Sequence, residues 1–372
     1  MLCWMQFGDL HACEQDDWAS FHLFERLVEA ANSELPGLVD LAVLPGDNAN
    51  HATEEQFRRI GEVARRLKLP LHALPGDHDF ETGTLEEFER HLAHRPLPYG
   101  ETVAGTRVLF FDIVSAGSGG PDFRLGAAQT RWLRRELDGA QDAGQPAVVF
   151  MHAYPGDLHA GADEVAGLLA AGGVRFVGTG HTHYNELLND GRVVYAATRS
   201  TGEIEEPGGP GFSLGALDGD VVSWRFKPLE TPWPFTLITA PADLRLVTDP
   251  QSRGQVPDGG FTIRAKVFGR DVASVRAEIG GATIELVSQG DGVWSAPSGP
   301  MAEGLHGLAV TARSSIGVED TDRVEVLVRG PRERPRRGEV FALGRDVHSV
   351  GPWPAKGIPG GQLGPNKNGL KW

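Results

Sequence analysis

The chain has 372 residues, room for about two to three domains, and its 40% hydrophobic and 23% charged content is ordinary for a protein with a sizeable core. A net charge of −15 argues against an extended nucleic-acid footprint or an anionic membrane surface. No run of about 18 apolar residues exists to form a membrane span, and only Cys3 and Cys13 are present, which favours reduced thiols and makes a cytoplasmic setting the default.

Residues 2–7 form a short apolar run that reads as a strand ending at Gly8, followed by Asp9 and His11. In an extended chain positions i and i+2 point the same way, so this pair can aim a carboxylate and an imidazole at one point. Asp16 or Asp17 is placed to cap a helix to about residue 31, with Phe21, Phe24 and Leu27 on one face. Residues 38–44 read as a buried strand stopped by Gly46-Asp47-Asn48. Thr53 with Gln56 forms a capping box ahead of Phe57, Ile60 and Ala64. The strand at 69–74 stops at Gly76-Asp77-His78-Asp79, and Thr84 with Glu87 suggests a second capping box. Strands at 107–114 and 147–151 flank a helix at 127–137, and His152 stops the second. A helix at 165–171 leads to a strand at 174–177, stopped by Gly180-His181-Thr182-His183. Runs at 193–197, 212–217 and 221–226 close the segment.

Alternating strands and helices predict an α/β domain over 1–226, with every polar cluster at a strand's carboxyl end, where such sheets place their sites. Prolines at 228, 232 and 234 mark 227–240 as a linker. Short segments at 244–247, 261–267, 274–279, 282–287, 308–312 and 324–328 predict an all-β, immunoglobulin-like sandwich over 241–330. Residues 331–372 are Gly/Pro-rich and basic, as in a flexible tail or one docked through Trp353 and Trp372.

The five clusters supply three carboxylates (Asp9, Asp47, Asp77) and four imidazoles (His11, His152, His181, His183). That set is enough for two metal ions, and its N/O mixture suits Mn, Fe, Zn or Co. Its order, D-x-H, G-D, G-D-H-D, H and G-H-x-H, resembles the calcineurin-like metallophosphoesterase superfamily, closest to the cyclic-nucleotide and glycerophosphodiester phosphodiesterase-like branch. The resemblance covers residues 1 to about 226 and implies a layered sheet sandwich flanked by helices. It also implies two divalent or trivalent metal ions that share a bridging hydroxide, and a small phosphate-ester substrate. Asp9, His11 and His183 would hold one ion, Asp77, His152 and His181 the other, and Asp47 both. His78 would act on the phosphoryl oxygens or leaving group, with Asn50 able to hydrogen-bond it. Asp79 would either orient His78 or close the turn.

Asp77 stands where the family has a neutral Asn, and a third carboxylate tightens metal binding while blunting Lewis acidity. Two rivals therefore stand beside a phosphoesterase: a weakly catalytic binding scaffold on the same fold, and a phosphomonoesterase or pyrophosphatase acting on nucleotides or lipid precursors. The sequence leaves homo-oligomerisation open.

Overall fold

Side chains of the strand Leu2–Phe7 (β1) alternate between two apolar clusters. Leu2 and Trp4 enter one with Phe150 and Phe176, while Cys3, Met5 and Phe7 enter another with Phe24 and Phe57. A strand buried on both faces belongs in the middle of a layered structure. The computed structural model describes residues 1–93, 95–119, 122–248 and 255–329. After β1 come α1 (Gln15–Glu34), β2 (Leu41–Leu44), α2 (Glu54–Ala64), β3 (Leu71–Ala73), α3 (Glu86–His91), β4 (Tyr99–Val103) and β5 (Thr106–Phe110). They continue as α4 (Gly126–Asp142), β6 (Ala147–Phe150), α5 (Ala162–Ala171), β7 (Val174–Thr179), β8 (Glu186–Asn189), β9 (Val194–Ala197), β10 (Gly211–Asp218) and β11 (Val221–Pro228).

One sheet has the order β11-β10-β1-β2-β3 and the other β4-β5-β6-β7-β9-β8. β1, β2 and β3 run parallel, as do β5, β6, β7 and β9, and the outer strands close each sheet antiparallel. Helices α1 and α2 pack on the outer face of the first sheet, and Leu133 of α4 with Leu169 of α5 packs on the second. The result is the mixed α/β architecture that the alternation predicts, with its two sheets layered face to face. The parallel strands put their carboxyl ends at one rim, and the polar clusters gather there.

Several local expectations are corrected. Asp16 and Asp17 do not cap α1: with Trp18 they take φ of 49°, 54° and 64°, and regular helix follows them. Thr53 caps α2 by accepting from Gln56 N at 3.3 Å, but the Gln56 side chain turns to His51 N and Glu14, so the box is half formed. Thr84 lies just outside α3, accepting from Glu86 N at 3.2 Å. The expected strand at 244–247 is a 3₁₀ turn, Leu244–Leu246, capped by Asp243.

The stretch expected as a linker is instead largely strand: β11 runs into it, and β12 (Phe235–Ala240) follows. Beyond come β13 (Gln255–Pro257), β14 (Thr262–Phe268), β15 (Ser274–Ile279), β16 (Ala282–Glu285), β17 (Val287–Gly290), β18 (Val293–Pro297), β19 (Gly304–Arg313) and β20 (Glu319–Arg329). They form two sheets, β12-β14-β18-β17 and β13-β20-β19-β15-β16, whose facing residues Ile263, Val267, Ala277 and Val310 share one core. Arg225 of β11 donates to Asp320 at 2.9 Å, and Thr236 N and Ile238 N donate to Asp320 and Asp322 at 2.7 Å, tying β20 to the strands before it. The basic tail lies outside the described residues. Cys3 and Cys13 are both free. No helix among the described residues is long and apolar enough to cross a membrane.

Candidate metal centre

Each strand-end cluster delivers its side chains to the rim between the two sheets. Two groups of donors assemble there, Asp9/His11/Asp47/His183 and Asp47/Asp77/His152/His181, each with its ligand atoms within 4.8 Å of one another. Asp47 belongs to both. All seven side chains therefore lie together, in two groups that share Asp47.

The backbone is bent hard to achieve this. His11, Asp47, His181 and His183 have φ of 43°, 49°, 69° and 65°, in the left-handed region that side chains other than glycine adopt reluctantly. Two motif glycines follow from close approach. A Cβ on Gly180 would lie 2.1 Å from Asp9 Oδ1, and one on Gly76 2.2 Å from Asp47 Oδ1.

His11 Nε2 and His183 Nε2 face each other at 2.9 Å, and His183 Nε2 lies 3.9 Å from Asp9 Oδ2. In the other group His152 Nε2 lies 3.2 Å from Asp77 Oδ1 and 3.5 Å from Asp47 Oδ2, while His181 Nδ1 is 3.6 Å from Asp77 Oδ1. Hydrogen bonds to the outer nitrogens fix these rings: His152 Nδ1 donates to the Pro45 carbonyl at 3.1 Å, leaving Nε2 toward the carboxylates.

Charge is poorly balanced in this cluster. Burial first, then the charges of Asp47 and Asp77, push the Asp9 carboxyl well above its ordinary range, with His152 opposing. Burial acts against Asp77 too, but hydrogen bonds from His152 and His181 hold it below the carboxylate range. Burial lowers the His152 imidazole, and Asp47 more than reverses this. Asp9 Oδ2 accepts from His181 N at 2.6 Å, whereas Oδ1 is buried without a hydrogen-bond partner. An unmatched oxygen on a fully buried carboxylate, among imidazole nitrogens crowded lone pair to lone pair, is a donor set that suits cations.

His78 sits beside the donors, its ring 4.7 Å from that of His11. Its backbone N donates to Asp47 Oδ1 at 2.9 Å, and its Nδ1 donates to the Asn50 carbonyl at 2.9 Å. Burial lowers this imidazole, but Asp47, the Asn50 carbonyl and Asp77 carry it above its ordinary value. The Asn50 side chain itself is turned to His11, with Oδ1 3.0 Å from Nδ1, so only its backbone reaches His78. Asp79 is fully buried and accepts from Asn48 N, Asn48 Nδ2, Ala49 N and Gly76 N, the geometry of a residue that closes the turn. Next to His78 a cavity of about 300 Å³ is lined by Asp77, Phe80, Glu81 and Ser118. A larger cavity, about 860 Å³, lies between β8, β11 and β20 and contains none of the seven donors.

The residues after β9 escaped the sequence reading. Ser200 Oγ and Thr201 N bond the Asp9 carbonyl at 2.9 and 2.8 Å, and the same loop brings Glu205 Oε1 to 3.1 Å from His183 Nδ1. Their signal was present, since Thr198-Arg199-Ser200-Thr201-Gly202 is another polar run just past a parallel strand.

Residues 5–185 match the family model described as calcineurin-like phosphoesterase. Over 131 residues the chain is 32% identical to the glycerophosphodiester phosphodiesterase GpdQ of Enterobacter lignolyticus, a match covering 33% of this chain and 46% of that protein. The chain thus aligns with about half the length of that curated relative, 46%. A probable cyclic nucleotide phosphodiesterase of Fibrobacter succinogenes is 23% identical over 239 residues, covering 59% of this chain and 86% of its own. Among solved structures, a dimetal phosphatase from Danio rerio superposes with a TM-score of 0.51 over 61% of this chain and 96% of its own, at 13% identity, a likeness of fold.

Proposed function

We propose, from the match of residues 5–185 to the calcineurin-like phosphoesterase model, that this protein hydrolyses a small phosphodiester with two metal ions. The observation that carries the reading is the pair of donor groups sharing Asp47 at one sheet rim. The names of both curated relatives, each a phosphodiesterase, support a diester over a monoester. Asp9, His11 and His183 would hold one ion, Asp77, His152 and His181 the other, and Asp47 both; the N/O donor set favours Mn, Fe or Zn. Such a pair, when bound, generates a nucleophile from water near neutral pH and offsets charge at phosphorus.

The chain's own groups do the rest. His78, its Nδ1 proton committed to the Asn50 carbonyl, has its other nitrogen left to pass a proton to the leaving alkoxide or to donate to a phosphoryl oxygen. Asn50 positions His11, and Asp79 holds the turn that presents both Asp47 and Asp77. The cavity beside His78 is where one ester group would sit. In this reading 1–226 is the catalytic domain, and the paired sheets after it form an immunoglobulin-like module. The two free thiols support a cytoplasmic setting.

The test is turnover of a bis-aryl phosphate against the matching aryl monophosphate, after chelator treatment and after adding back Mn²⁺. Diester turnover that needs metal and exceeds monoester turnover is the expected result. Equal turnover with and without metal would end the proposal.

A further inference from the structure

The two halves of the centre are braced differently. In the second group, the outer nitrogen of His152 meets a neutral acceptor, the Pro45 carbonyl. In the first, His183 Nδ1 faces Glu205 Oε1 at 3.1 Å and Glu203 Oε2 at 3.7 Å. His11 Nδ1, which bonds Asn50 Oδ1, also has Glu203 Oε1 at 4.0 Å. Both inner nitrogens of this half point at each other and toward Asp9 and Asp47.

The loop that carries these carboxylates is held firmly. Arg199 is buried and donates to Glu206 at 2.5 Å and to the carbonyls of Pro207 and Gly209 at 2.9 Å. Glu203 N donates to Ser200 Oγ at 2.9 Å, and that hydroxyl donates to the Asp9 carbonyl. A Cβ on Gly8 would lie 1.7 Å from the Arg199 carbonyl, so the loop sits directly against the turn that presents Asp9.

We infer that Glu205, supported by Glu203, is a positioning residue that fixes His183 as the Nδ1–H tautomer and strengthens metal binding in the Asp9/His11/His183 half. This rests on the two-metal reading above. A carboxylate behind a ligating imidazole raises the basicity of the far nitrogen and fixes its orientation, and losing such a partner lowers metal affinity by about 10–100-fold. Glu205 is 37% and Glu203 47% exposed, so water screens both, and the effect of Glu203 is the smaller. Asp77, the extra carboxylate, lies in the other half and acts on that half's ion.

The experiment is calorimetric titration of metal-free full-length protein with Mn²⁺. The unaltered chain takes up two equivalents in distinguishable steps. Glu205→Gln, which keeps an acceptor but removes the charge, weakens one step by about 10-fold or more and leaves the other unchanged. Asp77→Asn weakens the other step. Nitrogen NMR of the His183 ring separates charge from mere structure: the Nδ1 proton persists in Glu205→Gln and is lost in Glu205→Ala, while the metal-free melting temperature does not move. Two unchanged steps in Glu205→Gln, or equal weakening of both, would overturn the inference and leave the two-metal reading standing. A third equivalent bound by the unaltered chain and lost in Glu205→Gln would overturn it in favour of direct ligation by Glu205. Failure of the unaltered chain to bind a pair of ions would overturn both.

Discussion

Gln6 donates its side-chain amide to the carbonyl of Thr179 at 2.7 Å, linking the middle strand of one sheet to the end of β7 in the other. Thr179 immediately precedes Gly180 and His181, so this bond sets the spacing between the Asp9 turn and the His181 turn. Replacing Gln6 with Leu leaves the Thr179 carbonyl with only the longer bond from Thr198 N at 3.4 Å, at an expected loss of about 0.5–1.5 kcal/mol. Thermal melting would register a fall of about 2–4 °C for each kcal/mol in a domain of this size. An unchanged melting temperature would show that the layers are held by apolar packing alone.

Asp47 is the one carboxylate common to both donor groups, and it also accepts from His78 N. Asp47→Ala is expected to abolish retention of both metal ions and, with them, activity. Elemental analysis after dialysis, beside circular dichroism to confirm folding, reads the outcome. Full activity in a folded variant is incompatible with the proposed centre.

His78 touches the donors through its backbone but presents its ring beside them. His78→Ala should therefore keep its metal content while kcat falls by about 100-fold or more. The same variant should lose one limb of the pH profile. A parallel loss of metal would reassign His78 to the ligand set.

Glu186, at the start of β8, faces Tyr154 and Thr182, and burial pushes its carboxyl from 4.5 up to about 8. Between those values the folded chain binds the proton more tightly than the unfolded chain. The associated stability is complete below about pH 4.5 and is lost as pH rises through about 8. Glu186→Gln removes that dependence. Urea unfolding of both metal-free proteins at pH 5 and pH 8 should show the variant gaining on the parent at the higher pH, by at most ~1.4 kcal/mol per pH unit. A constant difference between the two would show that Glu186 is ionised throughout.

The seven donors were legible because each motif is local. A carboxylate or imidazole just past an apolar strand needs no knowledge of distant chain, and the sheet rule then brings the strand ends together. Choices among distant partners were not legible. Asn50 can bond either His11 or His78, and only the folded turn decides that its side chain takes the first and its carbonyl the second. Asp79 reads equally as an orienting or a turn-closing group until four donors are seen around it. Glu203 and Glu205 sit in an exposed loop with no periodicity, and their relation to His11 and His183 is purely tertiary. The 3₁₀ turn at Leu244–Leu246 looks apolar enough for a strand, but Asp243 accepting from Arg245 N tips it the other way.

Left-handed backbone at His11, Asp47, His181 and His183 makes the centre a loaded spring. Each such position holds about 1–2 kcal/mol of conformational tension that metal-free protein has little to offset. The surrounding layers must therefore be sturdier than the resting fold requires, and disarming the site should release part of that reserve. A His181→Gly chain, inert toward phosphate esters, is accordingly expected to outlast its parent when both are heated in chelator.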